Sequence, residues 1–236
     1  MSRLQTAAEA ARPDGPGPHA TRLSATLRIT EIFHSLQGET SRSGLPTVFI
    51  RLTGCPLRCT YCDTAYAFSG GKTRRLDEIL AAAAQYGTRY VTVTGGEPLA
   101  QKSCFALLRE LCERGYSVSL ETGGAIDVSG VDRRVSKILD IKTPASGEVE
   151  KNLWSNLERL TPHDEIKFVI CDEADYRWSK GQLASRGLDR LCPVLFSPSN
   201  RELPPAQLAE WILRDRLPVR FQLQLHKQLW GDRPGV

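Results

Sequence analysis

Hydrophobic positions along this chain follow two periods that take turns. Segments with a period of two occupy residues 26–33, 48–52, 90–94 and 116–120, where apolar and polar residues alternate or run apolar over a short length. Further segments of this kind lie at 137–141, 165–171, 193–197 and 219–226. Each predicts a β-strand, because successive side chains of a strand point to opposite faces. Helical spacing fills the intervals at 76–86, 103–114, 173–186 and 204–213. Asp77 and Glu78 open the first of these helices and Gly87 stops it; Gly115 ends the second, and Pro204-Pro205 begins the last. Strand-then-helix alternation predicts an α/β fold with a parallel sheet curled into a partial, open β/α barrel. Chemistry in such folds gathers where the strands end, at their C-terminal edge.

Residues 1–25 break this pattern. They are rich in Ala, Arg, Pro and Gly, and Arg12-Pro-Asp-Gly-Pro-Gly-Pro18 cannot hold regular structure. This predicts a disordered N-terminal tail at 1–25 and one catalytic domain at 26–236. No internal repeat is evident. No run is apolar and long enough to span a membrane.

The densest chemistry sits just beyond the second strand, in Cys55-Pro-Leu-Arg-Cys59-Thr-Tyr-Cys62. Fully extended, the stretch would span roughly 23 Å, so the chain must curl to bring three sulfurs onto one small object. Gly54 and Pro56 favour a loop there. Three thiolates are one short of a closed structural zinc site and one short of the four that commonly hold a [4Fe–4S] cluster. A cubane on three cysteines keeps one iron open for a ligand. The spacing alone also allows zinc completed by a distant histidine, His163 or His226, or plain buried thiols.

Other predicted strand ends carry polar residues. Arg51 lies within an apolar strand, where a guanidinium needs a partner: a structural ion pair, or a carboxylate that it clamps. Gly95-Gly96-Glu97-Pro98 ends the third strand with backbone that a ligand can approach closely. Glu121 and Asp140-Ile141-Lys142 end two more. Cys104 and Cys112, eight apart on one predicted helix and so about 12 Å along its axis, cannot bridge and are expected in the core.

Composition narrows the class. The chain has 236 residues, 25 % charged and 41 % hydrophobic, with a net charge of +4 spread along its length. That is ordinary for one α/β domain and too mild a charge to indicate nucleic acid, though it suits an anionic small substrate. Seven cysteines at these spacings do not read as a secreted disulfide framework, and a low-potential iron–sulfur site needs reducing surroundings, so the expected location is cytoplasmic.

The C-x-x-x-C-x-x-C motif with aromatic Tyr61 before its last cysteine, followed by the Gly-Gly-Glu-Pro strand end, resembles the radical S-adenosylmethionine (SAM) superfamily. Ser35-Leu-Gln-Gly-Glu39, Val48-Phe-Ile-Arg51, Cys62-Asp-Thr64, Leu139-Asp-Ile-Lys-Thr-Pro144 and Gln224-Leu-His-Lys-Gln-Leu-Trp-Gly231 together resemble the 7-carboxy-7-deazaguanine synthase family within it. That family contracts the ring of 6-carboxy-5,6,7,8-tetrahydropterin with loss of ammonia, for queuosine and other deazapurine pathways. The resemblance implies a [4Fe–4S] cluster on Cys55, Cys59 and Cys62, and SAM against Tyr61, Cys62, Asp63, Gly96, Glu121, Asp140, Ile141 and Lys142. It implies that Leu36, Gln37, Gly38 and Thr94 read the pterin and that Arg51 clamps its carboxylate. The C-terminal Val236 would close the substrate pocket, and Thr64 would ligate Mg²⁺. A homodimer and a flavodoxin or ferredoxin as electron donor are implied as partners. Two departures stand out: Glu39-Thr40 where many members have Glu-Gly, and Asp140-Ile141-Lys142 where some have Ser-Pro-Lys. The rival readings are a radical SAM activase that acts on a partner protein, and a zinc or RNA-binding module without catalysis.

Overall fold

In a computed structural model of the chain, the described residues are 23–200, 202–231, 233, 235 and 236. Most of the expected N-terminal tail lies outside them. Its last residues do not: Leu23 and Ala25 pack against the core.

Nine strands form one sheet: β1 (Thr26–Leu36), β2 (Pro46–Leu52), β3 (Lys72–Arg75), β4 (Tyr90–Gly95), β5 (Ser117–Thr122), β6 (Ser136–Ile141), β7 (Glu165–Ile170), β8 (Val194–Pro198) and β9 (Arg220–Phe221). Their order is β3-β1-β2-β4-β5-β6-β7-β8-β9, an open barrel whose end strands do not pair with each other. From β2 to β9 every pairing is parallel. β1 runs antiparallel to both β2 and β3. Period alone did not reveal that edge, because alternation is the same in both directions. β3 reads Lys-Thr-Arg-Arg, with no apolar face to announce it, and its charges guard an exposed sheet edge.

Among the described residues there are five α-helices: α1 (Leu76–Ala84), α2 (Cys104–Glu113), α3 (Glu173–Arg186), α4 (Pro205–Asp215) and α5 (Leu225–Trp230). The Asp172 carboxylate accepts the Asp175 N–H at 2.8 Å and caps α3, and Gly187 ends it in the left-handed conformation. Helix stripes such as Leu76, Ile79, Leu80 and Ala83 of α1, and Leu107, Leu108 and Leu111 of α2, pack on the outer face of the sheet. Cys104 and Cys112 are buried there as free thiols.

The two faces differ in chemistry. Val91 and Val93, Val118 and Leu120, Leu139 and Ile141, and Phe168 and Ile170 belong to the core. Thr94, Glu121, Asp140 and Lys167, which alternate with them along the strands, turn to the barrel interior and line a cavity of about 500 Å³.

The last predicted strand is corrected. Only Arg220 and Phe221 pair with β8; Gln222 to Gln224 leave the sheet, and Leu225–Trp230 is helical. The alternation at 222–226 serves another surface. Gln222 Nε2 and the Leu225 N–H both donate to the Gly38 carbonyl at 3.1 Å, and Gln224 Nε2 donates to Glu39 at 3.0 Å. The C-terminal segment therefore lies across the loop after β1.

Candidate active site

The cysteine loop leaves β2 at the cavity mouth. Its anchor is the end of β4: the Glu97 N–H donates to the Gly54 carbonyl at 2.8 Å, and the Gly96 N–H to the Leu52 carbonyl at 3.1 Å. A Cβ on Gly96 would lie 2.3 Å from the Gly54 oxygen and 2.9 Å from Cys55 Cβ, so the two loops meet at a distance only glycine permits. Glu97 itself is fully buried and ties β4 to β5, accepting from the Leu99 N–H (3.0 Å), the Gly123 N–H (2.7 Å) and Thr122 Oγ1 (2.9 Å). Burial pushes its carboxyl above the usual range, and these bonds pull the other way.

Cys55, Cys59 and Cys62 all face the cavity as free, half-buried thiols. Burial raises all three, Cys59 to about 11; Cys62 adds to the rise at Cys55, and Cys55 and Cys62 add to that at Cys59. Thiols held neutral this way need a strongly positive group to become thiolate ligands. Among the described residues, the one group of metal-ligating side chains with its atoms all within 4.8 Å of one another is Glu39, Asp63 and His226. Three cysteine thiols on one cavity, with a fourth ligand position left to a bound molecule, fit a [4Fe–4S] cluster held by three protein ligands.

Beside the cysteines, the Tyr61 hydroxyl is buried without a hydrogen-bond partner, an orphan that a bound ligand would satisfy. Lys142 Nζ pairs with Asp140 at 2.9 Å; burial opposes its charge, yet Asp140 and Tyr61 hold it above the usual lysine range. Lys167 reaches Glu39 at 2.8 Å and Asp140 at 3.3 Å. Burial works to raise Glu39, but Lys167 and His226 overcome it and bring its carboxyl to about 2. Glu121 goes the other way, raised by burial and by the charge of Glu39.

Of the residues that the family resemblance assigned to the site, all but Ile141 line this one cavity; His163, the other histidine considered for zinc, does not. Ile141 is 2 % exposed and belongs to the outer core, as alternation from Asp140 and Lys142 requires. Gln37 lines the cavity but has no spare polar group. Its amide oxygen accepts the Gly38 and Glu39 N–H groups (2.7 and 3.0 Å), and Nε2 donates to Thr92 (3.1 Å) and Glu121 (3.2 Å). Its N–H and carbonyl are also bonded, to Leu45 and Gly44. Gln37 thus fixes the loop and orients Glu121, whose other oxygen accepts from Thr94 Oγ1 at 2.9 Å. Arg51 pairs with Glu31 at 2.7 Å. Thr64 Oγ1 donates to Asp63 at 2.8 Å, placing two oxygen donors side by side on the wall. Sequence reasoning left Lys167 and Glu31 out of the site. Lys167 had one signal, a lysine inside an apolar strand.

An open β/α barrel with three cysteines at the mouth, clasped by a Gly-Gly-Glu-Pro strand end, defines a radical SAM enzyme. The model of the Radical SAM superfamily matches residues 49–144, which span that region. The chain is 48 % identical over 216 residues to the 7-carboxy-7-deazaguanine synthase of Chlorobaculum tepidum, covering 90 % of this chain and 98 % of that one. It is 43 % identical to that of Koribacter versatilis, covering 86 % and 97 %. The crystal structure of QueE from Escherichia coli shares the fold, with a TM-score of 0.70 at 24 % identity, over 84 % of this chain and 94 % of that one. The chain belongs to the 7-carboxy-7-deazaguanine synthase family. It is a radical SAM lyase, with a [4Fe–4S] cluster and SAM as cofactors and a small molecule as substrate. Among the described residues no helix is long and apolar enough to cross a membrane.

Proposed function

We propose that this chain converts 6-carboxy-5,6,7,8-tetrahydropterin to 7-carboxy-7-deazaguanine with loss of ammonia, in a Mg²⁺-dependent reaction. The observation that carries the reading is one cavity that holds three cysteines at one side and a polar, charge-graded wall at the other. Cys55, Cys59 and Cys62 would hold the cluster. When bound, the cluster and SAM supply one-electron cleavage and a carbon-centred radical able to take a hydrogen atom.

The protein's part is positioning. Gly96 has its N–H engaged by Leu52, so its carbonyl is the group left to accept from an ammonium such as SAM's. Tyr61, Cys62, Asp63 and Asp140 to Lys142 would line the rest of the SAM pocket, with Ile141 contributing main chain only. Glu121 joins both sides: assigned to SAM by resemblance, it is hydrogen-bonded to Gln37 and Thr94 on the pterin side. Arg51, which lines the cavity, would clamp the substrate carboxylate. Thr64 and Asp63 offer the hard oxygen donors that Mg²⁺ prefers. Gly235 and Val236 bring the C-terminal segment to the cavity rim and would close it over the pterin. A homodimer and a flavodoxin or ferredoxin donor complete the reading.

The test is complementation. In a bacterium deleted for its own 7-carboxy-7-deazaguanine synthase, this chain should restore queuosine to tRNA, and its Cys59→Ala variant should not. Restoration by neither, with both proteins expressed and soluble, overturns the assignment.

A further inference from the structure

Strand β1 changes face partway along. Leu27 and Ile29 point into the core, and strict alternation would send Glu31 there too. An ionised carboxylate has no partner in that layer. The register prevents this: Ile29 pairs with Leu52, but Glu31 pairs with Arg51, so one extra residue, Thr30, is inserted between them. The bulge is fastened by a 2.7 Å hydrogen bond between the Thr30 and Thr53 hydroxyls. Beyond it Ile32 packs against the core, and Glu31 stands directly across from Arg51, on the same face of the sheet and behind the cavity wall that Arg51 lines.

What the bulge delivers is a specific contact. Glu31 Oε1 accepts from Arg51 Nε at 2.7 Å and from the Tyr66 hydroxyl at 2.7 Å. Oε2 is overhung by the C-terminal segment, since a Cβ on Gly235 would lie 3.3 Å from it. The guanidinium carbon of Arg51 sits 5.7 Å from the Phe33 ring centre and 5.9 Å from that of Tyr66. The pair is largely out of solvent, at 16 % and 21 % side-chain exposure. Among the described residues, Arg51 Nη1 and Nη2 have no hydrogen-bond partner. With Nε occupied, one edge of the guanidinium is left for a second carboxylate: the edge with both terminal nitrogens.

We propose that Glu31, steadied by Tyr66, is the positioning residue that turns the terminal fork of Arg51 toward the substrate carboxylate, and that the Thr30 bulge exists to aim it. This rests on the reading of Arg51 as the carboxylate clamp. Glu31 touches no substrate. It acts by fixing which edge of Arg51 is free.

The experiment is equilibrium binding of two non-reacting ligands to full-length, cluster-reconstituted protein with SAM, followed by pterin fluorescence: 6-carboxypterin, and pterin without the carboxylate. The quantity read is the ratio of the two dissociation constants. Glu31→Ala should cut the preference for the carboxylated ligand about tenfold while leaving pterin itself unchanged. Glu31→Gln keeps an acceptor for Nε and should stay within about threefold of wild type; Tyr66→Phe should lose about threefold. In an Arg51→Ala background, where the preference is already gone, Glu31→Ala should add nothing. Should Glu31→Ala not fold, Tyr66→Phe, isosteric and half exposed, carries the same test. Equal weakening of both ligands by Glu31→Ala would mark a merely structural residue and overturn the proposal. So would an intact or enhanced preference in Glu31→Ala when Arg51→Ala abolishes it. An intact preference in Arg51→Ala would instead remove the clamp reading, and this inference with it.

Discussion

Replacing Gly96 with alanine tests whether close approach of two backbones holds the cysteine loop. The new Cβ would lie 2.3 Å from the Gly54 oxygen, 2.6 Å from the Gly54 carbonyl carbon and 2.9 Å from Cys55 Cβ. Relief to van der Waals contact needs a shift of roughly 1 Å. None of the three atoms is the end of a flexible side chain, so the shift must go into the loop that carries the cysteines. It also strains the 2.8 Å bond from the Glu97 N–H to the Gly54 carbonyl. Overpacking costs about 1–3 kcal/mol and a weakened buried hydrogen bond about 1 kcal/mol. Together these lower the melting temperature of a chain of this size by roughly 5–15 °C. The assay is thermal unfolding of the reduced, cluster-free protein, followed by iron and sulfide per chain after anaerobic reconstitution; both should fall. The control is Gly181→Ala in α3, where a Cβ meets nothing within 4 Å and alanine is the better helix former, so stability should rise by about 0.5–1 kcal/mol. A Gly96→Ala protein with wild-type melting and full iron content would refute the reasoning.

Asn156 is fully buried, accepts the Val128 N–H and donates to the Gly124 and Ile126 carbonyls, so Asn156→Ala should cost about 3 kcal/mol in urea unfolding. Glu39 has a folded pKa of about 2 against an ordinary 4.5; its stabilisation is present above pH 4.5 and lost as pH falls through about 2. That is worth at most about 3 kcal/mol, offset in part by Glu121, whose raised pKa relieves strain as pH falls; Glu39→Gln should flatten the acid limb of stability against pH, and an unchanged limb would contradict the ion-pair account. Thr64→Ala should raise the Mg²⁺ concentration for half-maximal turnover by about tenfold or more, and Thr64→Ser should restore it.

Much of this architecture was legible because the barrel strands have opposite chemistry on their two faces. Tyr90-Val-Thr-Val-Thr94 displays it directly: valines to the helices, Thr92 to a buried hydrogen bond with Gln37, and Thr94 to the cavity. The same rule, applied strictly, takes Ile141 out of the cavity. The cysteine loop was legible because its spacing is dense and its function local. Other features depend on contacts distant in sequence. The polar residues at 222–226 alternate like a strand, yet their partners are Gly38 and Glu39, 184 and 185 positions away. Lys167 belongs to the site because it meets Glu39, 128 residues earlier. The β1 bulge did leave a trace, the shift from Leu27 and Ile29 to Ile32. Its meaning depends on Arg51 in the neighbouring strand.

Purified protein gives the most direct test. The chain, reconstituted anaerobically, is supplied with reductant, SAM, Mg²⁺ and 6-carboxy-5,6,7,8-tetrahydropterin, and products are followed by mass spectrometry with omission of each component in turn. The account predicts 7-carboxy-7-deazaguanine and ammonia in equal amounts, and neither when any one component is left out. A protein with a complete cluster that binds SAM and cleaves it, yet forms no deazapurine from this pterin, would contradict it.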